Sequence, residues 1–252
     1  MSRREAPPDA FGRTAREYEL GRPLWPEELL ERVIGEVGLG RDAAVLDLGA
    51  GTGKLTRSLV PRFSRVVAVE PDEAMLEVLA EVVPEAEARS GSGESIPLGD
   101  GEVDAVFTAE AFHWFASDES VAEIVRVLRP RGALVILWNI GLEYDYMGEE
   151  ADALIEEMHE RGGKPGIGRV LSGAWRDPIG RAPFDQLRET DVERDIVATR
   201  DEWIANMLSV SSIAHQPDKD RVAFAERLRE LVPADRKVVR RVRTVAYWTR
   251  LV

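Results

Sequence analysis

The chain has 252 residues, a net charge of -13, 44% hydrophobic residues and no cysteine. That length can bury the core of a single α/β domain, 1–252. The lack of cysteine excludes disulfides, thiolate metal sites and cysteine nucleophiles, and it fits a cytoplasmic protein. The acidity argues against a nucleic-acid partner, because binding phosphates needs a clustered positive surface. No apolar run is long enough to span a bilayer, and the stretch behind Arg3 and Arg4 has no apolar core of a signal peptide.

In chain order, an N-terminal lead-in or lid, 1–40, comes first. Phe11–Leu20 is helix-like, Arg22-Pro23-Leu24-Trp25-Pro26 is a rigid turn, and Glu27–Val37 carries Leu29, Leu30, Val33, Ile34 and Val37 on one face. From 41 to 140, short apolar runs alternate with helical segments, which predicts βαβ units and a parallel sheet. The strands are Ala44–Leu48, Val66–Glu70, a weaker Ala86–Ser90, Val103–Ala109 and Ala133–Asn139; the helices are Gly53–Leu59, Glu73–Val82 and Ser117–Leu128. Val66–Val69 and Leu134–Trp138 are apolar without alternation, as strands buried on both faces should be.

Beyond 140 the pattern loosens into a helical region with closing strands. Ala151–Arg161, Asp201–Val210 and Arg221–Leu231 look helical, and Gly162–Gly168 reads as a mobile loop. Val242–Leu251 reads as a last strand with Val192–Val197 as its partner. The fold class is therefore α/β: a Rossmann-like, mostly parallel seven-stranded sheet with helices on both faces and a helical insertion before the last strands. From Lys219 to Arg250 the charge balance reverses, most densely at Arg236–Arg243. That run is either a solvated helix end leading into a strand or a basic patch for an acidic substrate or partner.

The segment Asp47-Leu48-Gly49-Ala50-Gly51-Thr52-Gly53-Lys54-Leu55 carries the chemistry. A glycine turn after a first strand lets a ligand lie on the backbone, since no Cβ intervenes, and the next helix offers free N–H groups. A dinucleotide fingerprint would need glycine where Lys54 stands, and a P-loop fails at Leu48 and Leu55. Asp47 at the strand end would repel a pyrophosphate and favour a ligand carrying an ammonium and a sulfonium. Glu70 closes the second strand, where a carboxylate can accept both hydroxyls of a ribose.

These residues resemble motif I of the class I S-adenosylmethionine-dependent methyltransferases, type 11 small-molecule group. Val66–Leu76 resembles the second motif of that family. Ser90–Leu98 with Asp100–Val106 resembles the third and fourth, and Arg126–Gly132 resembles the turn before strand five. Phe11, Tyr18 and Arg22-Pro23 match the lead-in that such enzymes fold over the cofactor. The resemblance implies S-adenosylmethionine as cofactor and S-adenosylhomocysteine as product. It places Gly49, Ala50 and Gly51 against the methionine part, with Gly53 closing the cofactor turn, Glu70 on the ribose, and Pro71 and Met75 on adenine. Ser92, Gly93 and Glu94 would face the adenine amino group, and Ala109 would offer a carbonyl beneath the sulfonium, with Tyr18, Arg22 and Asp47 completing the set. The family often has aspartate where Ser92 stands, and Arg131 replaces the first glycine of a common Pro-Gly-Gly turn.

After the fourth strand, Glu110 and His113 are the catalytic candidates, as general base or as pocket wall; transfer to a carboxylate oxygen would need no base. His159 and His215 stand isolated, so no metal is expected. Trp138, Tyr144, Tyr146, Trp175, Trp203 and Met207 are either ordinary core or the apolar and aromatic lining of an acceptor pocket, which would suit a hydrophobic or planar small molecule. The reading is methyl transfer to a small-molecule oxygen, nitrogen or carbon by a monomer or homodimer, without nucleic acid or membrane. Its rivals are a cofactor-binding relative without catalysis, a macromolecule methyltransferase, and an NAD or nucleotide-sugar enzyme.

Overall fold

The computed structural model describes residues 13–163 and 166–252. Phe11, and Lys164 and Pro165 of the expected mobile loop, lie outside the described residues. Two lead-in helices come first, α1 (Ala15–Gly21) and α2 (Glu27–Glu36). Pro26 precedes α2, and Leu29, Leu30 and Val33 are its buried stripe. The strand β1 (Ala44–Leu48) is buried at every position, as a central parallel strand must be. The expected helix from Gly53 begins only at Thr56, as α3 (Thr56–Leu59), because Gly53 has φ of 86°, outside the helical region.

Next come β2 (Arg65–Glu70), α4 (Glu73–Val82), β3 (Glu87–Ser90), β4 (Val103–Ala109), α5 (Phe112–Phe115) and α6 (Asp118–Val127). Asp72 caps α4 by accepting the N–H groups of Ala74 at 3.0 Å and Met75 at 3.1 Å. Ser117 and Ser120 cap α6 reciprocally. The remainder is β5 (Leu128–Tyr144), α7 (Glu149–Gly162), α8 (Ile167–Leu171), α9 (Arg176–Arg181), β6 (Arg188–Thr199), α10 (Arg200–Leu208), α11 (Ser211–Ala214), α12 (Asp218–Leu231) and β7 (Lys237–Arg250).

The seven strands form one sheet in the order β3-β2-β1-β4-β5-β7-β6. The first five run parallel, and β7 lies antiparallel between β5 and β6. The strand order reverses between β1 and β4, which leaves a crevice at the carboxyl ends of the strands, where open α/β sheets bind ligands. One face buries Leu46, Leu48, Val106 and Leu134 against α6 and α9; the other buries Val45, Phe107, Val135 and Leu137 against α2 and α3. A third cluster, with Trp203, Ile204, Leu208, Phe224 and Leu228, binds α7, α10, α11 and α12 into a separate cap.

Three strands are longer than their apolar cores suggest. β5 continues to Tyr144 because β7 pairs with it as far as Tyr144 opposite Arg240. β6 pairs with β7 from Arg188 to Thr199, and its outer face is held by diagonal ion pairs, Arg241 to Glu193 at 3.3 Å and Arg243 to Asp191 at 2.9 Å. Arg131, at the position where the resemblance led glycine to be expected, takes φ of 65°, a left-handed conformation that favours glycine.

Candidate functional site

The glycine turn crosses from β1 to α3 with Gly49 at φ 71° and Gly51 at φ 57°. Its glycines serve different ends. A Cβ on Gly49 would lie 2.6 Å from that of Ala111, and one on Gly53 would press on Leu79 and Val83 of α4. A Cβ on Gly51 would meet only Met75 Sδ at 3.7 Å and Tyr18 at 4.0 Å. Gly51 thus borders open space between the turn, the lead-in and α4.

Two buried carboxyls flank that turn. Asp47 is fully buried; its Oδ2 accepts from the Thr56 hydroxyl at 2.6 Å, and its Oδ1 has no partner among the described residues. Burial pushes its pKa up to about 7. Glu70 accepts the N–H of Gly51 at 2.8 Å through Oε2 and that of Asp72 at 3.1 Å through Oε1. It too is pushed up to about 7 by burial. Each carboxylate oxygen of Glu70 has a second lone pair to offer.

A cavity of about 690 Å³ opens from the turn. Of the residues expected at the site, Tyr18, Arg22, Asp47, Gly49, Ala50, Ala109, Glu110 and His113 line it. Glu70, Gly51 and Met75 adjoin one another beside the turn, while Gly53 serves packing. Pro71 follows Glu70 at the end of β2, and Ser92 exchanges backbone hydrogen bonds with Ser95 in a tight turn after β3. Gly93 of that turn lies so close to the Phe115 ring that a Cβ would approach it to 2.5 Å. Glu94 completes the turn. Phe115 thereby joins the turn after β3 to Gly49, a contact that the sequence did not announce.

Glu110 leaves β4 with φ of 55°, a strained conformation for a side-chain-bearing residue. Its Oε1 accepts the Asn139 N–H at 2.7 Å. Burial raises its pKa, and Arg22, the largest opposing influence, lowers it. His113 Nδ1 accepts from the indole N–H of Trp138 at 3.1 Å. Burial drops its pKa to about 4, with the Arg169 charge adding to the effect. An indole only donates, so the neutral imidazole carries its proton on Nε2. His113 is built as a hydrogen-bond donor, and a base would need that nitrogen bare.

The lead-in is tied down at both ends of the site. Glu19 accepts from Thr52 at 2.9 Å and pairs with Lys54 at 3.2 Å and Arg57 at 2.7 Å. Arg22 donates to the Ser209 hydroxyl at 3.0 Å and carbonyl at 3.2 Å. Sequence reasoning missed Glu19, whose partners lie over thirty residues away.

The far end of the cavity is walled by α10, β7 and the residues after β5. Of the aromatic and apolar set expected there, Tyr144, Trp203 and Met207 line it. Trp138 and Trp175 do not: they are buried against one another, ring centroids 4.6 Å apart, and against Tyr247. Tyr146 is exposed on the surface. The basic run resolves into a strand with two faces. Arg241 and Arg243 point to β6, while Arg240, between the buried Val238 and Val242, points into the cavity. Among the described residues no group of three His, Cys, Asp or Glu is placed to hold a metal, and no helix is long and apolar enough to cross a membrane.

Comparison with known proteins follows the same division. A methyltransferase-domain family model matches residues 46–136, the segment bearing the glycine turn and Glu110. An uncharacterised methyltransferase of Mycobacterium tuberculosis is 35% identical over 226 residues, covering 88% of this chain and 85% of its own. An uncharacterised methyltransferase of Schizosaccharomyces pombe is 38% identical over 148 residues, covering 58% of each chain. A structure from Anaeromyxobacter dehalogenans assigned as a type II methyltransferase superposes with a TM-score of 0.64 at 25% identity, over 91% of this chain and 97% of that one. The fold and the turn define a methyltransferase. The chain belongs to the class I S-adenosylmethionine-dependent methyltransferase family.

Proposed function

We infer that the protein transfers a methyl group from S-adenosylmethionine to a small-molecule acceptor held in the 690 Å³ cavity. The observation that carries this reading is the unpartnered Asp47 Oδ1, fully buried where the cavity meets the glycine turn. A buried acceptor without a donor is costly, and an ammonium group supplies the missing proton donor together with a compensating charge. The open space at Gly51 and the spare lone pairs of Glu70 fit the rest of that cofactor. When bound, S-adenosylmethionine supplies an electrophilic methyl group.

The chain's own residues then divide the work. Asp47 would hold the ammonium and Arg22 the carboxylate of the methionine part, Glu70 the ribose hydroxyls, and Met75 with Pro71 one side of the adenine. The turn Ser92-Gly93-Glu94 would meet the adenine edge, and the Ala109 carbonyl would face the sulfonium. His113 donates through Nε2 to orient the acceptor. Glu110, raised by burial, takes the proton of an acceptor that must lose one. The acidity of the chain and the size of the cavity, which is in the range of small-molecule sites, support a small acceptor over a nucleic acid.

Calorimetry with S-adenosylhomocysteine, followed by a mass-spectrometric search for +14 Da products across a panel of small acids, phenols and amines, tests the reading. Saturable binding with turnover of at least one acceptor is expected. Binding of NAD without affinity for S-adenosylhomocysteine would overturn it, and tight binding with no turnover would favour a non-catalytic relative.

A further inference from the structure

The far end of the cavity holds a charge that, among the described residues, has no ion-pair partner. Arg240 sits on the inward face of β7 among Val238 and Val242 and lines the cavity. Its Nη1 donates to Asn206 Oδ1 at 2.7 Å, and among the described residues no carboxylate lies within ion-pair distance of it. Asn206 is 2% exposed and also lines the cavity, and its Nδ2 has no hydrogen-bond partner. A guanidinium and a free amide N–H₂ therefore stand side by side, joined by a hydrogen bond, with donors left over on both. The acidic groups nearby are engaged elsewhere. Asp145 pairs with Arg236 and accepts from Val239, and Asp152 accepts from Met147; Glu110 accepts from Asn139 and feels the Arg240 charge without reaching ion-pair distance.

Building on the methyl-transfer reading of this cavity, we propose that the acceptor is a carboxylic acid with an apolar body, its carboxylate held by Arg240 and Asn206. A planar carboxylate matches a guanidinium fork and an adjacent amide. One guanidinium fork with one amide presents its donors in a plane, which suits a planar carboxylate better than a tetrahedral phosphate. Ile155, Ile196, Trp203, Met207 and Val242 line the same end and would cover the apolar body. Arg22, the other arginine of the cavity, is committed to Ser209 and to the donor side.

The experiment compares acids with their uncharged amides: phenylacetate with phenylacetamide, cinnamate with cinnamamide, hexanoate with hexanamide. Binding is read by calorimetry with and without S-adenosylhomocysteine. The wild-type protein is expected to prefer the acid by roughly tenfold or more in at least one pair. R240M should abolish that preference to within about twofold, R240K should retain part of it, and R243M, which removes an equal charge from the outer face, should leave it intact. Melting curves show whether each variant is folded; if R240M does not fold, R240K and the wild-type comparison still decide. Equal binding of acid and amide in every pair, or an undiminished preference in R240M, overturns the proposal. Loss of S-adenosylhomocysteine binding alone would overturn the donor assignment and leave the acid preference to be read independently.

Discussion

The two ends of the cavity are built on different plans. The donor end is made of neighbours in sequence: Asp47, the three glycines and Thr56 fall within ten residues, and Glu70 closes the adjacent parallel strand. The acceptor end joins Asn139 at the end of the sheet core, Asn206 on α10 and Arg240 on β7. Parallel strands bring successive βα turns to one edge of the sheet as a matter of topology. The antiparallel pair and the helical cap can be lengthened or redecorated without disturbing that edge. On the proposed reading, donor chemistry therefore belongs to the fold, and acceptor chemistry to the cap.

The sharpest way to break that division is at Gly51. Valine there would adopt φ near 57° against its preference and place a branched side chain in the open space beside Met75 and Tyr18. S-adenosylhomocysteine binding should fall by roughly 100-fold or more; ordinary affinity would show that the ligand lies elsewhere. Next in size is the contrast between Glu110 and His113. On an acceptor that loses a proton, Glu110→Gln should lower kcat by about 100-fold or more, as loss of a base does. His113→Phe, removing only a donor, should cost less than about tenfold. The reverse ranking would make His113 the base.

The two raised carboxyls give a pH signature at the donor end. Burial brings Asp47 and Glu70 up to about 7 in the unliganded protein; the ammonium group of the ligand selects ionised Asp47, and the ribose hydroxyls, as donors, select ionised Glu70. Affinity for S-adenosylhomocysteine should therefore rise with pH through about 7 and level off above it, measured by calorimetry in several buffers. Stability of the unliganded protein runs the opposite way. Both folded values lie above the unfolded values of about 4, so the contribution is complete below that pH and is lost as pH rises through 7. The melting temperature should be lower at pH 8 than at pH 6 and should recover on adding S-adenosylhomocysteine. A flat profile would mean that neither group titrates there. The smallest effect belongs to the outer face of β7: Arg243→Ala should cost under about 1 kcal/mol in chemical denaturation, as partly exposed ion pairs do.

What could be read in the sequence follows the same line. β1, β2 and β4 came out with nearly their true limits because strands buried on both faces are continuously apolar. The glycine turn and Glu70 were legible because their spacing is local. The helix start at Gly53 was misplaced, since sequence does not show which way a glycine turns. The short helices α5, α8, α9 and α11 have four to six residues, too few to display a period. Trp138 and Trp175 resembled pocket walls because bulk alone cannot distinguish a lining from a filling. The basic run Arg236–Arg243 was legible as a run, but its two alternatives separate only on the strand: in β7, Val238, Arg240, Val242, Thr244 and Ala246 share a face, and a lone arginine in such a row is rarely decorative.

The lead-in helix couples the two ends. Gly21 lies so close to α10 that any side chain there would collide with the Asn206 backbone, and Arg22 clasps Ser209 one turn further on. Asn206 in turn holds Arg240. On the proposed reading, the lead-in beside the cofactor and the wall that holds the acceptor are thus parts of one mechanical unit, so a substitution that loosens either contact is expected to weaken both S-adenosylhomocysteine and acceptor binding.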